Sequence, residues 1–324
     1  NNLYEVFYNT DNKLTFRTKV DKSFKGNEIY LLGKDKYPLY EDKVGALPTI
    51  IDDLFSNATS EKIYKSRINE TSNILVRYGI NQEYNLSFLN SISAVLEQST
   101  EGLIKNIIKN ITPELFVSLN NGDIFKMFSS NSEDLSENNI DHLSLYNKFT
   151  EKYSDFAKQN SKNDTFLYQV FYSFERFKNY LGDMNVSKEP LFFVDLLSRK
   201  LNWLVPNGLN VIILERYIIL NKEKLYINIP QIDNLDLLFQ KSNATCLIYK
   251  YRGLYEPIVE IIANELKPII ETPIMVSSLT KIVNLLNEEG SRGVQRNTKM
   301  ELHDLPNIAP LKKQYKERVK AFII

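Results

Sequence analysis

Cysteine and histidine are scarce in this sequence, and their scarcity excludes several kinds of site. The 324 residues include one cysteine, Cys246, and two histidines, His142 and His303. A single cysteine excludes a disulfide framework within the chain and is typical of a cytosolic or nuclear protein. A closed zinc site needs four nitrogen or sulfur ligands at short spacings, and these three residues are too few to form one. A histidine-dependent catalytic triad is disfavoured for the same reason.

Net charge and long hydrophobic runs are also lacking. Lys and Arg together number 40, as do Asp and Glu, so the formal net charge is zero. The overall positive charge that is typical of nucleic-acid-binding domains is therefore absent, and any such contact must come from a local patch. No apolar run reaches the roughly 18 residues that span a bilayer, so we expect no membrane partner. The chain begins with Asn1 and ends on Ile324, and we expect it to be a fragment of a longer polypeptide.

The composition is that of a globular protein, and the first of three regions covers residues 1–128. With 43% hydrophobic and 25% charged residues, the chain has the length of one large domain or two average ones. Alternating apolar residues over 3–33 predict a small antiparallel meander. The apolar spacing then becomes helical, with Thr112 as a predicted N-cap before Pro113 and with Asn121-Gly122 as a predicted helix break.

The second region covers residues 142–289 and follows a polar, acidic linker over 129–141. One of its predicted helices carries an aromatic stripe from Phe166 to Tyr180, with spacings of three and four residues. This spacing places most of the rings on one helix face, which favours core packing over stacking on nucleic-acid bases. Another helix is predicted from Pro190 to Trp203. Four strand-like segments and a closing helix follow, over 211–214, 225–229, 246–251, 257–262 and 273–286.

The third region, residues 290–324, reads as a basic loop followed by a partial helix. Taken together, the patterns predict an α+β fold. It has a small N-terminal antiparallel meander, a helical middle, and a C-terminal mixed or antiparallel sheet of about four strands flanked by helices.

Two short motifs suggest chemistry that the neighbouring residues do not support. Gly33-Lys34-Asp35 resembles the end of a Walker A loop, but Asp35 stands where a Ser or Thr must bind magnesium, and Gly26 is at the wrong spacing. Cys246 begins an apolar strand, which predicts an inert, buried thiol rather than a nucleophile. We therefore predict no cofactor and no nucleotide site.

A nuclease-like, metal-dependent domain is the enzymatic alternative. Glu215, Glu256 and Glu260 lie on or beside predicted strands, and Lys250 could polarise an attacking water. The Asp followed by Glu-x-Lys on one strand that such sites use is missing, so the scaffold would be degenerate. The other interpretation is that these are surface carboxylates at strand ends. Convergence of the four side chains in one cleft would favour the enzyme.

A local basic patch lies near the C-terminus. Basic side chains with interleaved aromatic residues can contact a phosphate backbone without reading its sequence, although a solvated helix face has the same pattern. The candidate DNA-binding residues are Arg292, Arg296, Lys299, Lys312, Lys313, Lys316, Arg318 and Lys320.

Six short segments, in order between about residues 40 and 262, carry a family resemblance. They are Gly45-Ala46-Leu47-Pro48, Arg77-Tyr78-Gly79-Ile80 with Ser87-Phe88-Leu89, Asn120-Asn121-Gly122, Asp195-Leu196-Leu197-Ser198-Arg199, Pro206 to Glu215, and Leu254-Tyr255-Glu256-Pro257-Ile258. In these segments the chain resembles the large subunit of the early transcription factor of nucleocytoplasmic large DNA viruses, a group that includes poxviruses, African swine fever virus and the giant amoebal viruses.

The resemblance implies a role in viral transcription initiation. Such a protein binds early viral promoter DNA, pairs with a small ATPase subunit and helps to recruit viral RNA polymerase. It is not itself an enzyme, and it is found in the virion and the host cytoplasm. The zero net charge of this chain departs from that expectation, and none of its motifs matches DNA-contacting residues of the family one by one. A structural virion protein is a third hypothesis.

Overall fold

A computed structural model describes residues 29–55, 67–68, 74–129, 140–220, 222–229, 244–262, 265–268 and 320–323. Several sequence predictions lie wholly or largely outside these residues. They are the strand pattern before residue 29, the linker over 129–141, the closing helix over 273–286, and the basic loop and partial helix up to residue 319.

Ten strands of the described residues form one mixed sheet, which confirms the predicted α+β class with helices flanking a mixed sheet. The strands are β1 (Ile29–Leu32), β2 (Val44–Gly45), β3 (Arg67–Ile68), β4 (Ile74–Tyr78), β5 (Leu209–Ile219), β6 (Lys222–Ile229), β7 (Ala244–Tyr251), β8 (Leu254–Ile262), β9 (Glu265–Lys267) and β10 (Lys320–Ile323). Their order across the sheet is β10-β6-β5-β7-β8-β4-β2-β1-β3, and β9 also pairs with β8.

The centre of the sheet joins strands from opposite ends of the described chain. Strands β5 and β7 run parallel, with Glu215 opposite Lys250, while β7 and β8 form an antiparallel hairpin. Strand β8 then pairs antiparallel with β4, with Val76 opposite Val259. Strand β1 pairs with β2, which pairs with β4. The described part of the N-terminal region therefore belongs to the same sheet as the C-terminal strands.

Helices occupy most of the described chain between β4 and β5. Those helices are α2 (Ser87–Val95), α3 (Thr100–Asn110), α4 (Pro113–Ser118), α5 (Asp123–Phe128), α6 (Ile140–Lys152), α7 (Ser154–Gln159), α8 (Asp164–Gly182) and α9 (Val194–Ser198). Helix α1 (Thr49–Phe55) precedes β4. Among the described residues, no helix has both the length and the apolarity to cross a membrane.

Local signals placed the helix ends correctly in the stretch after α3. The hydroxyl of Thr112 accepts a hydrogen bond from the backbone N–H of Leu115 at 3.3 Å, which confirms the predicted N-cap of α4. The predicted break is also confirmed, because Asn120, Asn121 and Gly122 have φ values of 46°, 55° and 86°. A right-handed helix cannot pass through three residues in this left-handed conformation.

Two large hydrophobic cores cover the two faces of the sheet, and a third, smaller cluster joins Val44, Ile74 and Val76 to Val259 and Ile261. The larger one packs the helices against one face, and the aromatic stripe of α8 lies inside it, with Phe171, Phe174 and Phe177 buried. This burial confirms the prediction of core packing. The second core lies on the opposite face, where Ile51 and Phe55 of α1 cover the central strands. Alternate residues along β5 enter the two cores, as the pleat of a strand requires.

Two predicted helices are wrong in part. The helix expected from Pro190 to Trp203 is a 3-10 turn over Pro190–Phe192 followed by the short α9. It ends because Arg199 has an extended backbone, with φ −77° and ψ 143°. The partial helix expected at the C-terminus is replaced at Lys320–Ile323 by β10, which pairs antiparallel with β6. Pairing with β6 satisfies backbone groups that a sheet edge would otherwise leave open.

Candidate functional site

A buried ion pair joins β4 to β8. Nη1 of Arg77 lies 2.9 Å from Oε2 of Glu256, and both side chains are fully buried. The Arg77 Nε donates to the carbonyl of Ala46 at 2.9 Å, and its Nη2 donates to the carbonyl of Lys36 at 2.8 Å. The second carboxylate oxygen, Oε1 of Glu256, accepts the backbone N–H of Leu39 at 2.6 Å. Each group of the pair is thus hydrogen-bonded, as buried charges must be to persist.

Two tyrosine rings flank the Arg77 guanidinium. Its central carbon lies 5.9 Å from the ring centroid of Tyr37 and 5.6 Å from that of Tyr249. The Tyr37 hydroxyl lies 2.6 Å from the carbonyl oxygen of Tyr251 and 2.8 Å from that of Leu254, so this side chain also holds the β7–β8 turn. Burial raises the pKa of the Tyr37 hydroxyl well above its usual range, and the Glu256 carboxylate raises it further.

The alternation of arginine and tyrosine continues from this buried pair towards the surface. The Tyr251 ring lies 5.3 Å from that of Tyr37, in an edge-on arrangement. The guanidinium carbons of Arg216 and Arg252 lie 4.9 Å and 5.0 Å from the Tyr251 centroid. We name this set the arginine–tyrosine ladder; its members are Arg77, Tyr37, Tyr249, Tyr251, Arg216 and Arg252.

The ladder has three arginines, and among the described residues two of them form ion pairs with carboxylates. Arg77 pairs with Glu256, and Arg216 forms an ion pair with Glu223 across the β5–β6 hairpin. Arg252 is exposed at the β7–β8 turn, with φ 50°. Within the described part of the chain, no carboxylate pairs with Arg252 and no hydrogen bond holds it, so its contact there is the Tyr251 ring.

A second ion pair lies on the opposite, helix-covered face of the sheet. Nζ of Lys250 lies 2.8 Å from Oε1 of Glu215, and the amide of Asn228 donates to Oε2 of Glu215 at 3.4 Å. Burial lowers the pKa of Lys250, but Glu215, Tyr217 and Glu189 together raise it more, so the net pKa is raised and the ammonium stays charged. Tyr217 donates its hydroxyl to Glu215, and burial together with this bond raises the pKa of Tyr217.

These positions do not assemble the predicted nuclease set. Glu215 of β5 and Lys250 of β7 stand opposite each other and lie on one face of the sheet. Tyr255 of β8 stands opposite Lys250, so the next residue, Glu256, lies on the other face. Glu260 shares the face of Glu256 but stands opposite Leu75, four residues further along β8, where burial raises its pKa to about 7. Among the described residues, no group of three or more His, Cys, Asp or Glu side chains can hold a metal ion.

Two other segments of the family resemblance also meet in space. Oδ2 of Asp195 accepts the backbone N–H of Asn120 at 2.8 Å and the Nη2 of Arg199 at 2.9 Å. The Arg199 guanidinium also donates to the carbonyl of Ser118 at 2.8 Å, and the Asn120 amide donates to the carbonyl of Leu191 at 3.1 Å. Asp195 and Arg199 thus fix the left-handed turn between α4 and α5.

Lys188 is a buried cation that sequence analysis missed. Its Nζ donates to the carbonyls of Tyr180 and Asp183 and lies 4.4 Å from the Tyr180 ring centroid. Burial lowers the pKa of Lys188 to about 8. These contacts close the turn after α8, and the side chain is only 2% exposed, so it acts as a structural residue.

The predicted site residues have different outcomes. Cys246 is buried at the start of β7, and burial raises its pKa to about 12. Seven of the eight candidate DNA-binding residues lie outside the described residues, namely Arg292, Arg296, Lys299, Lys312, Lys313, Lys316 and Arg318. The eighth, Lys320, belongs to β10. Their role in binding DNA stays a prediction.

The ladder was missed although its sequence carries two usable signals. Arg77 stands in the otherwise apolar strand Ile74–Tyr78, and Glu256 stands in the apolar strand Leu254–Ile262. A charged residue inside a buried strand requires a partner of opposite charge. Arg252-Gly253 occupies a two-residue turn between strands, where Asn-Gly or Asp-Gly is the usual pair.

Comparison with known proteins finds a relative in a giant virus. Over 113 residues the chain is 31% identical to an uncharacterised protein of Acanthamoeba polyphaga mimivirus. The match covers 32% of this chain and 7% of that protein, so the chain spans a small part of the relative's length. No protein-family model and no solved structure matches the chain. The comparisons therefore indicate a giant-virus origin and assign no activity.

Proposed function

We propose that this chain is a non-catalytic part of a viral early transcription-initiation factor, which contacts promoter DNA, viral RNA polymerase and a partner ATPase subunit. It acts in the virion and the host cytoplasm. The observation that carries the proposal is the ordered set of six segments shared with the large subunit of such factors. The giant-virus relative supports a viral source, and its description is silent on transcription.

The spatial placement of these segments adds support. The segment containing Ala46, the one containing Arg77 and the one containing Glu256 meet at the buried ion pair. The segments containing Asn120 and Asp195 meet at the left-handed turn between α4 and α5. Short segments that are distant in the chain but touch in the fold behave as parts of one scaffold. These contacts support the view that the shared segments form the framework that presents the contact surfaces.

A salt titration of DNA binding tests the proposal. The 324-residue chain is titrated with a labelled early-promoter duplex and with a shuffled duplex, over a range of salt concentrations. We expect the promoter duplex to bind more tightly, with the logarithm of the association constant falling linearly with the logarithm of salt. Reversing the charge of Lys312, Lys313 and Lys316 should reduce the slope by about 0.9 for each phosphate contact that is lost.

The matched control reverses three exposed lysines of the helical region, Lys109, Lys148 and Lys158. This variant has the same net charge as the tail variant, so any effect of overall charge is equal in the two. If the two variants have equal salt slopes, Lys312, Lys313 and Lys316 do not contact the DNA. Absence of DNA binding by the unmodified chain at low salt would reject promoter contact and favour a structural virion protein.

A further inference from the structure

The exposed end of the arginine–tyrosine ladder has the features of a built anion site. Arg252 is the first residue of the two-residue turn between β7 and β8, and its φ is 50°. This conformation suits Gly, Asn or Asp, and costs a residue with a long side chain about 1 kcal/mol or more. The turn itself gives no reason for arginine at this position, which points to a use of its side chain.

A cation–π contact with Tyr251 is compatible with a free N–H edge on Arg252. A guanidinium over an aromatic ring uses its flat face for the cation–π contact. Its N–H groups lie in the guanidinium plane and form a fork that matches two oxygens of a phosphate. Within the described residues no group accepts a hydrogen bond from Arg252. Among the described residues, nothing competes with an anion for this donor fork.

A second guanidinium contacts the same ring. Arg216 lies over the same ring, and because both guanidinium carbons are about 5 Å from one centroid, they lie within about 10 Å of each other. Glu223 neutralises Arg216, so the excess charge of this end of the ladder belongs to Arg252. Tyr37 holds the turn by its hydroxyl and connects it to the buried Arg77–Glu256 pair.

We propose that Arg252, which shares the Tyr251 ring with Arg216, holds a phosphate of a nucleic-acid backbone at the β7–β8 turn. The inference rests on the proposed function, because it names a contact through which this chain would hold promoter DNA. It places one contact on the central sheet, separate from the basic residues near the C-terminus. The contact positions the chain on DNA and does not read base sequence.

The test compares Arg252→Gly with Lys148→Gln in the 324-residue chain. Both variants lose one positive charge from an exposed position. Glycine suits the positive φ at residue 252, so this variant should unfold at the same temperature as the unmodified chain or higher. We expect Arg252→Gly to weaken duplex DNA binding about threefold to tenfold at low salt and to reduce the salt slope by about 0.9. Lys148→Gln should change neither.

Two further arms identify the ligand chemistry. Arg252→Lys keeps the charge but loses the planar fork, so it should keep the salt slope and bind DNA more weakly than the unmodified chain. Inorganic phosphate is added at constant ionic strength as the probe for a site that takes free phosphate. If inorganic phosphate binds the unmodified chain but not Arg252→Gly, while DNA binds both equally, a backbone contact is rejected in favour of a free-phosphate site.

The outcomes separate this inference from the function on which it rests. If the unmodified chain binds DNA and Arg252→Gly binds as tightly as Lys148→Gln, the phosphate site is rejected and promoter contact stands. If the unmodified chain does not bind DNA at low salt, both are rejected. If Arg252→Gly loses thermal stability together with affinity, arginine serves the fold, and the assignment of Arg252 as a phosphate ligand is overturned.

Discussion

Arg77 of β4 and Glu256 of β8 are 179 residues apart in sequence, and their side chains form a 2.9 Å ion pair that is fully buried. Three segments of chain converge on it, since the pair also binds the backbone of Lys36, Leu39 and Ala46. The pair therefore fixes the loop before β2 to the centre of the sheet.

Removal of one partner of this pair should strongly destabilise the fold. We expect Arg77→Met or Glu256→Leu to lower the free energy of unfolding by about 3–5 kcal/mol, because each leaves a buried charge without its partner. The double variant should recover part of that loss, because it buries no unpaired charge. Urea denaturation at 25 °C measures all three.

The control for this cycle is the exposed helical pair Lys105–Glu101, whose side chains are 77% and 70% exposed. Truncating either member should cost less than about 1 kcal/mol. A loss below about 1 kcal/mol for both single variants of the buried pair would show that the junction is not needed for stability.

Glu260 should make stability depend on pH. Burial raises the pKa of this carboxyl to about 7 in the folded protein, above the ordinary value of 4.5 that applies to the unfolded chain. Between these values the folded state binds more protons, so the free energy of unfolding falls as pH rises from about 4.5 to 7. The contribution of Glu260 to that fall is on the order of 3 kcal/mol.

Replacing Glu260 by glutamine removes the titrating group. Urea denaturation across pH 4 to 8 should therefore show a flatter profile for Glu260→Gln than for the unmodified chain. Glu151→Gln, at an exposed position of α6, serves as the control and should keep the original profile. Identical profiles for Glu260→Gln and the unmodified chain would contradict the raised pKa.

Cys246 should react only when the protein unfolds. Its thiol is fully buried and its pKa is raised to about 12 by burial, so the reactive thiolate is scarce at neutral pH. A chromogenic disulfide reagent should leave the folded chain unmodified and should label one thiol per chain in denaturant. Rapid labelling of the folded protein would show that the strand opens to solvent.

The turn at Asn120 should depend on both its backbone and its side chain. Asn120 has φ 46°, and its amide donates to the carbonyl of Leu191. We expect Asn120→Ala to lose about 1–2 kcal/mol of stability, because alanine fits this conformation poorly and leaves the carbonyl without its donor. Asn120→Gly relieves the backbone and should lose less. Equal losses in the two variants would assign the whole effect to the side chain.

Local features of the fold could be predicted from sequence, because their causes lie within a few residues. The N-cap at Thr112, the break at Asn121-Gly122 and the aromatic face of α8 each depend on residue type at fixed short spacing. The burial of Cys246 also follows from the apolar strand that it begins. These are the signals that capping chemistry, glycine or asparagine conformation, and helical periodicity provide.

Features that depend on distant pairing could not be predicted in this way. No local pattern identifies β8 as the partner of β4. The Arg77–Glu256 pair and the joining of all strands in one sheet could therefore not be predicted from sequence. Residues 320–323 have a helical local pattern but form β10, since pairing with β6 determines their conformation. No local pattern singles out Arg252, because its contact with the Tyr251 ring requires the hairpin to be formed.

The pairing of β4 with β8 also affects the chain during its synthesis. At about 5–20 residues per second, the 179 residues between Arg77 and Glu256 take about 9–36 s to translate. During that time the apolar strand Ile74–Tyr78 lacks its partner β8, and its single charged residue, Arg77, lacks Glu256. A charge within an unpaired apolar strand opposes aggregation. The same arginine that later locks the sheet therefore protects the nascent chain until its partner strand leaves the ribosome.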